Sequence, residues 1–219
     1  MTTYFQPMAT GYFKVFGQRF DKFWCCTGTG MENFTKLNDS IYFRNDSYVF
    51  VNLYLDSQLI LEQGGRLTMQ ACLQKSDTVR ITVEMEDGAA LSKGLALRIP
   101  AWCAEEPVLT VDGVKTSYQV DGGYALLPAG LESGSEISLS LPMKVRVCPL
   151  PDNVRSVAFC FGPTVLSADL GCADMATTTT GMMVTIPAGK VGGYDDIVLP
   201  KDITPEIFMT EPERFLVRV

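Results

Sequence analysis

Histidine is absent from this chain of 219 residues, and that absence excludes several kinds of chemistry. Ser-His-Asp triads, Cys-His pairs and zinc sites of the His-Glu-x-x-His type cannot be assembled from it. A metal held by this chain has to sit on thiolates, carboxylates or carbonyls. Long hydrophobic runs are missing as well: no stretch approaches the ~20 apolar residues that span a bilayer. Residues 1–20 carry polar and charged groups where an export signal would place its apolar centre. Positive charge is scarce, with 18 Lys and Arg against 25 Asp and Glu and a net charge of −7. Nucleic acid and anionic membrane surfaces call for basic patches, so neither is expected as a partner, while neutral sugars remain compatible. A phosphate-binding glycine loop is lacking too. Its nearest approach, Gly28-Thr29-Gly30, has Asn33 where a third glycine belongs. The seven cysteines are odd in number and show no framework spacing, which reads as reduced thiols in a cytoplasmic protein.

What is present favours short strands. A hydrophobic content of 47% suffices for a sizeable core, and 12 prolines and 19 glycines supply many turns. Apolar and polar residues alternate in Arg66–Leu73 and Thr78–Met85, as half-buried antiparallel strands require. Strands are also expected over 40–44, 48–55, 94–99, 107–111, 117–120, 124–127 and 136–141. Asn45-Asp46-Ser47 reads as a turn, and Asp112-Gly113 and Asp121-Gly122-Gly123 read as hairpin signals. The fold class expected is mainly β: one β-sandwich over 40–147, then a second, incomplete sandwich over 148–219. The second begins near Val145, with strands at 154–161, 164–167, 182–186 and 215–219 and exposed loops at 176–181 and 189–196. An incomplete sandwich leaves edge strands to be covered, so a homo-oligomer is expected.

The stretch richest in chemistry is Phe23-Trp24-Cys25-Cys26-Thr27-Gly28-Thr29-Gly30-Met31-Glu32-Asn33. Thr29 and Glu32 have the spacing of a capping box, with Met31, Phe34 and Leu37 on one helical face, so a helix is expected to start just after the cysteines. A thiolate close to that start gains from unpaired backbone N–H groups. Three readings of Cys25 and Cys26 stand side by side: a nucleophile with a soft metal, two inert buried thiols beside Trp24, and a strained vicinal disulfide.

Tyr12-Phe13-Lys14, the run from Phe23 to Phe34, Lys36-Leu37 and Asp39-Ser40-Ile41-Tyr42-Phe43 resemble the cysteine motif of the β-L-arabinofuranosidases, glycoside hydrolase family 127 and the related family 146. Leu97-Arg98-Ile99-Pro100-Ala101-Trp102, Val111-Asp112-Gly113, Leu141-Pro142-Met143 with Arg146, and the run from Ala158 to Leu166 follow in the family's order. The resemblance runs from about Tyr4 to about Leu170. It implies a C-terminal portion of a longer enzyme, in which residues 1–39 are a remnant of a helical-barrel catalytic domain. It also implies Cys25 as nucleophile, Cys25 and Cys26 as zinc ligands, and arabinofuranosyl-containing plant glycans as substrates. The family's further Cys and Glu ligands, and its general acid/base Glu, lie upstream of this motif and have no counterpart in the 219 residues. By resemblance the chain alone is therefore inactive, with zinc absent or weakly bound, and its partner is the missing barrel. The alternative is a non-catalytic β-sandwich accessory or carbohydrate-binding module.

Other residues have double readings. Glu32 reads as a cap or a catalytic carboxylate, and Arg98 with Trp102 as packing or a sugar contact. The aromatics Tyr4, Phe5, Tyr12, Phe13 and Phe16 read as interface packing or sugar platforms. Cys72, Cys103, Cys148, Cys160 and Cys172 read as core or surface thiols.

Overall fold

The fold is that of a computed structural model, which describes residues 12–14, 25–152, 157–168, 183–185, 209–211 and 214–217. The expectations for Tyr4, Phe5, Phe16, Trp24, Cys172 and the loops at 176–181 and 189–196 lie outside the described residues, as do the side chains of Tyr12 and Phe13.

In chain order, β1 (Tyr12–Lys14) and the helix α1 (Cys25–Thr35) precede a 3-10 turn at Leu37–Ser40. Then come β2 (Tyr42–Arg44), β3 (Tyr48–Val51), β4 (Ser57–Ile60), β5 (Arg66–Ala71) and β6 (Thr78–Glu84). They are followed by β7 (Gly94–Arg98), β8 (Val108–Val111), β9 (Val114–Lys115), β10 (Gln119–Asp121), β11 (Tyr124–Leu127) and β12 (Glu136–Ser140). The last are β13 (Val145–Pro149), β14 (Val157–Phe161), β15 (Thr164–Ala168), β16 (Met183–Thr185), β17 (Met209–Glu211) and β18 (Arg214–Val217). The class is mainly β, as expected, and no helix among the described residues is long and apolar enough to cross a membrane.

Two sheets face each other across one core. One has the order β10-β11-β7-β3-β2, the other β4-β5-β6-β12-β8-β9. All their pairings are antiparallel except β3 with β7. Alternation decides which side chains go inside: Leu67 and Met69 of β5, Val79, Ile81 and Val83 of β6, and Ile137 and Leu139 of β12 are buried from one sheet. Val49, Val51, Leu95, Leu97 and Leu127 meet them from the other. Burying each such side chain contributes about 1.5–3 kcal/mol, so this cluster accounts for the sandwich.

The outer face of the first sheet is packed around β7. Gly94 lies opposite Tyr48 and Ala96 opposite Phe50, and the Phe50 and Tyr124 rings meet edge to face at 5.2 Å. A Cβ at Gly94 would lie 2.4 Å from the Leu127 carbonyl and 2.6 Å from the Tyr48 ring. Only glycine fits there.

Both hairpin signals form turns. Val111 pairs with Val114 across Asp112 (φ 51°) and Gly113 (φ 77°), and Asp121 pairs with Tyr124 across Gly122 and Gly123. Asn45 closes its own turn, its Oδ1 accepting from the Ser47 and Tyr48 amides. The short strands β1, β4, β9 and β17 are not among those expected from the sequence.

The chain forms two units, one of residues 1–37, 168–202 and 218–219, the other of residues 38–167 and 203–217. In the first, β1 pairs antiparallel with β16. The second holds the sandwich and a further sheet of order β13-β14-β15-β18-β17, which among the described residues is a single sheet.

Candidate functional site

The helix carrying the cysteine motif starts five residues earlier than its capping signal, with Thr29 as N-cap and Gly30 as first helical residue, implies. Cys25 is its first residue and Cys26 its second. Thr29 and Glu32 consequently lie within the helix and cannot form an N-terminal capping box. Glu32 is exposed, and its carbonyl accepts from the Thr35 hydroxyl at 2.7 Å at the helix end. Met31 and Phe34 are exposed, and Leu37 falls in the 3-10 turn beyond. The backbone thus places both cysteines in the first turn, where amide N–H groups lack intrahelical acceptors and the helix dipole is positive. That is a better setting for a thiolate than a position upstream of it. The side chains of Cys25 and Cys26 themselves lie outside the described residues.

Two thiols suit zinc in kind, being soft donors, and fall short in number, since zinc sites take three or four protein ligands. Among the described residues no cluster of three or more Cys, Asp or Glu could hold a metal ion.

At one end of the sandwich a cleft of about 510 Å³ opens between the segments that follow β3, β5 and β7, with Asn52, Leu55, Gln74, Arg98 and Trp102 on its walls. Its floor is braced by hydrogen bonds. The Tyr54 hydroxyl donates to the Arg98 carbonyl at 2.5 Å, the Tyr124 hydroxyl to Asn52 Oδ1 at 2.9 Å, and Asn52 Nδ2 to the Ser40 carbonyl at 3.0 Å. Arg98 Nη1 donates to the Asn52 carbonyl at 3.3 Å, which orients the guanidinium. Burial pushes the Tyr54 phenol far above its ordinary value, against a smaller downward pull from Arg98. The Arg98 and Trp102 pair singled out in the sequence is therefore brought together on one cleft, with Trp102 half-buried.

The remaining described thiols are free. Cys72 is exposed at the cleft. Cys103 is half-buried, donates to the Glu105 carbonyl and is pushed up by burial. Cys148 and Cys160, read separately in the sequence, stand with their sulfurs 3.7 Å apart across β13 and β14. They stand 12 residues apart in the sequence, and it is the strand register that brings them together.

Comparison with known proteins places this geometry. Residues 48–143 match the family model of the β-L-arabinofuranosidase GH127 middle domain, and residues 1–39 match that of the GH127 catalytic domain. A non-reducing end β-L-arabinofuranosidase from Bifidobacterium longum subsp. longum is 32% identical over 136 residues, 56% of this chain and 21% of that protein. The crystal structure of a GH127 β-L-arabinofuranosidase from Geobacillus stearothermophilus T6 is similar with a TM-score of 0.56 and 28% identity, over 64% of this chain and 23% of that one. A GH127 β-arabinofuranosidase at 21% identity and a TM-score of 0.55, over 64% of this chain and 25% of its own, shares the fold. The chain spans between a fifth and a quarter of the length of these relatives.

Proposed function

Because this chain belongs to the glycoside hydrolase family 127 of β-L-arabinofuranosidases, we propose that it is the portion of such a hydrolase that presents the nucleophile, Cys25. The observation that carries this reading is the start of α1 at Cys25, within the segment that matches the family's catalytic domain. Unpaired amides of the first turn favour the thiolate form there.

The reaction is hydrolysis of terminal β-L-arabinofuranosyl groups of plant glycans with retention. The Cys25 sulfur forms a bond to the anomeric carbon as the glycosidic C–O bond breaks, and the leaving oxygen takes a proton from a carboxylic acid. Water then attacks the same carbon, giving a proton to that carboxylate, and the C–S bond returns its electrons to the Cys25 thiolate. Zinc, held in part by Cys25 and Cys26, would lower the basicity of the thiolate so that it both attacks and leaves. The carboxylic acid and the remaining donors come from outside these 219 residues, from a helical barrel joined to the chain or supplied separately. The isolated chain, as monomer or homo-oligomer, then has no turnover, because such groups must be held to within about half an ångström.

The test is a chimera that joins this chain to the preceding catalytic-domain portion of the Bifidobacterium longum relative. Hydrolysis of an aryl β-L-arabinofuranoside, lost by at least about 10³-fold in Cys25→Ala, is the expected result. A chimera whose activity survives Cys25→Ala would overturn the assignment.

The cleft with Trp102 and Arg98, on a sandwich that closes its own core, favours a second role as a carbohydrate-binding module. An indole face and a guanidinium suit the apolar face and hydroxyls of a sugar. Of the two tryptophans, Trp102 would report arabinose-containing oligosaccharides by fluorescence. Quenching that persists in Trp102→Phe would remove this role.

A further inference from the structure

The sheet that begins at β13 holds a side-chain cluster remote in sequence from the Cys25 motif. Arg146 lies opposite Cys160 in the register of β13 and β14, and Cys148 lies opposite Ala158, so Arg146, Cys148 and Cys160 share one face. The two sulfurs are 3.7 Å apart. β13 is an edge strand, and both thiols are half-buried, open enough to be reached. Arg146 Nη2 donates weakly to the Gly162 carbonyl at 3.4 Å, while Arg146 Nε is a buried donor that has no acceptor among the described residues. A buried donor without an acceptor is costly, and a negative charge beside it would relieve that cost.

We propose that Cys148 and Cys160 form a two-coordinate site for a soft monovalent d10 cation of the Cu(I) class, with Arg146 as its counter-charge. The cluster itself selects that class. Thiolate sulfur favours soft ions. With no third Cys, Asp or Glu donor among the described residues, an ion that needs four ligands is poorly served. Binding releases two protons, 2 RSH + Cu⁺ giving Cu(SR)₂⁻ + 2 H⁺. The complex carries one negative charge, which matches one guanidinium; a divalent ion would leave the pair neutral beside a cation. A disulfide fits less well. Its sulfurs must close to about 2.05 Å, and residues placed diagonally across an antiparallel pair have Cα atoms about 7–8 Å apart, beyond the usual bridging range.

The experiment is anaerobic titration of the reduced 219-residue chain with Cu(I) against a chromophoric Cu(I) chelator, in a Cys25→Ser/Cys26→Ser background that removes the other paired thiols. One equivalent bound is expected. Loss of that equivalent in Cys148→Ser and in Cys160→Ser, each checked for the β circular-dichroism signal, supports the site. Arg146→Gln should keep the stoichiometry and weaken binding about tenfold. Binding unaffected by either serine variant, or a Cu(I) site displaced by equimolar Zn(II), would overturn it. So would affinity unchanged by Arg146→Gln.

Discussion

Tyr54 and Arg98 are tied side chain to main chain: the buried phenol donates to the Arg98 carbonyl at 2.5 Å, 44 residues away in sequence. The bond joins the segment after β3 to the end of β7 and holds the cleft that carries Trp102. Tyr54→Phe leaves that carbonyl without its donor and should cost about 1–3 kcal/mol in urea denaturation.

The same phenol gives a pH dependence. Burial raises its folded value above tyrosine's ordinary value of about 10, and burial also raises Tyr42 and Tyr118. The folded state therefore holds these protons after the unfolded chain has lost them. Stability from this source is complete below about pH 10 and falls as pH rises beyond it. Denaturation midpoints from pH 8 to pH 11 should show the decline, and Tyr54→Phe should flatten it.

Gly94→Ala drives a Cβ into the Leu127 carbonyl and the Tyr48 ring in the middle of a sheet. A loss of about 1–3 kcal/mol or more is expected. A thermal midpoint equal to the wild type's would show that the parallel pair of β3 and β7 has slack that the structure lacks.

Asp112 holds the β8–β9 turn at φ 51° and accepts from the Glu136 amide at 2.8 Å and the Ser135 hydroxyl at 3.2 Å. Asp112→Ala loses both acceptors and a residue tolerant of the left-handed region, a cost of about 1–2 kcal/mol. Asp112→Asn keeps an oxygen and the backbone preference and should cost less. Chemical denaturation of the two variants side by side checks the order.

Much of the sandwich was legible because its strands obey one rule. Leu67, Met69 and Ala71 alternate with Thr68 and Gln70, and burial follows that alternation residue by residue. Asp112-Gly113 and Gly122-Gly123 have backbones that only such residues adopt readily, so the turns could be placed too. β4 was missed because an edge strand such as Ser57–Ile60 buries no residue fully and carries no clear pattern. The start of α1 was missed for a different reason. Cys-Cys-Thr-Gly-Thr-Gly is a poor helix sequence, and the Thr29 and Glu32 spacing imitated a cap that the structure puts inside the helix. The contact of Cys148 with Cys160 depends on strand register, which spacing alone does not fix.

The measurement that bears most directly on the whole account is hydrolysis of an aryl β-L-arabinofuranoside by the purified, reduced chain with added zinc, beside Cys25→Ala. A folded β protein with no turnover in either sample is the predicted result, because the proposed mechanism draws its carboxylic acid and its other metal donors from outside these residues. Turnover by the chain that disappears in Cys25→Ala would contradict it, by showing that these 219 residues build a complete site.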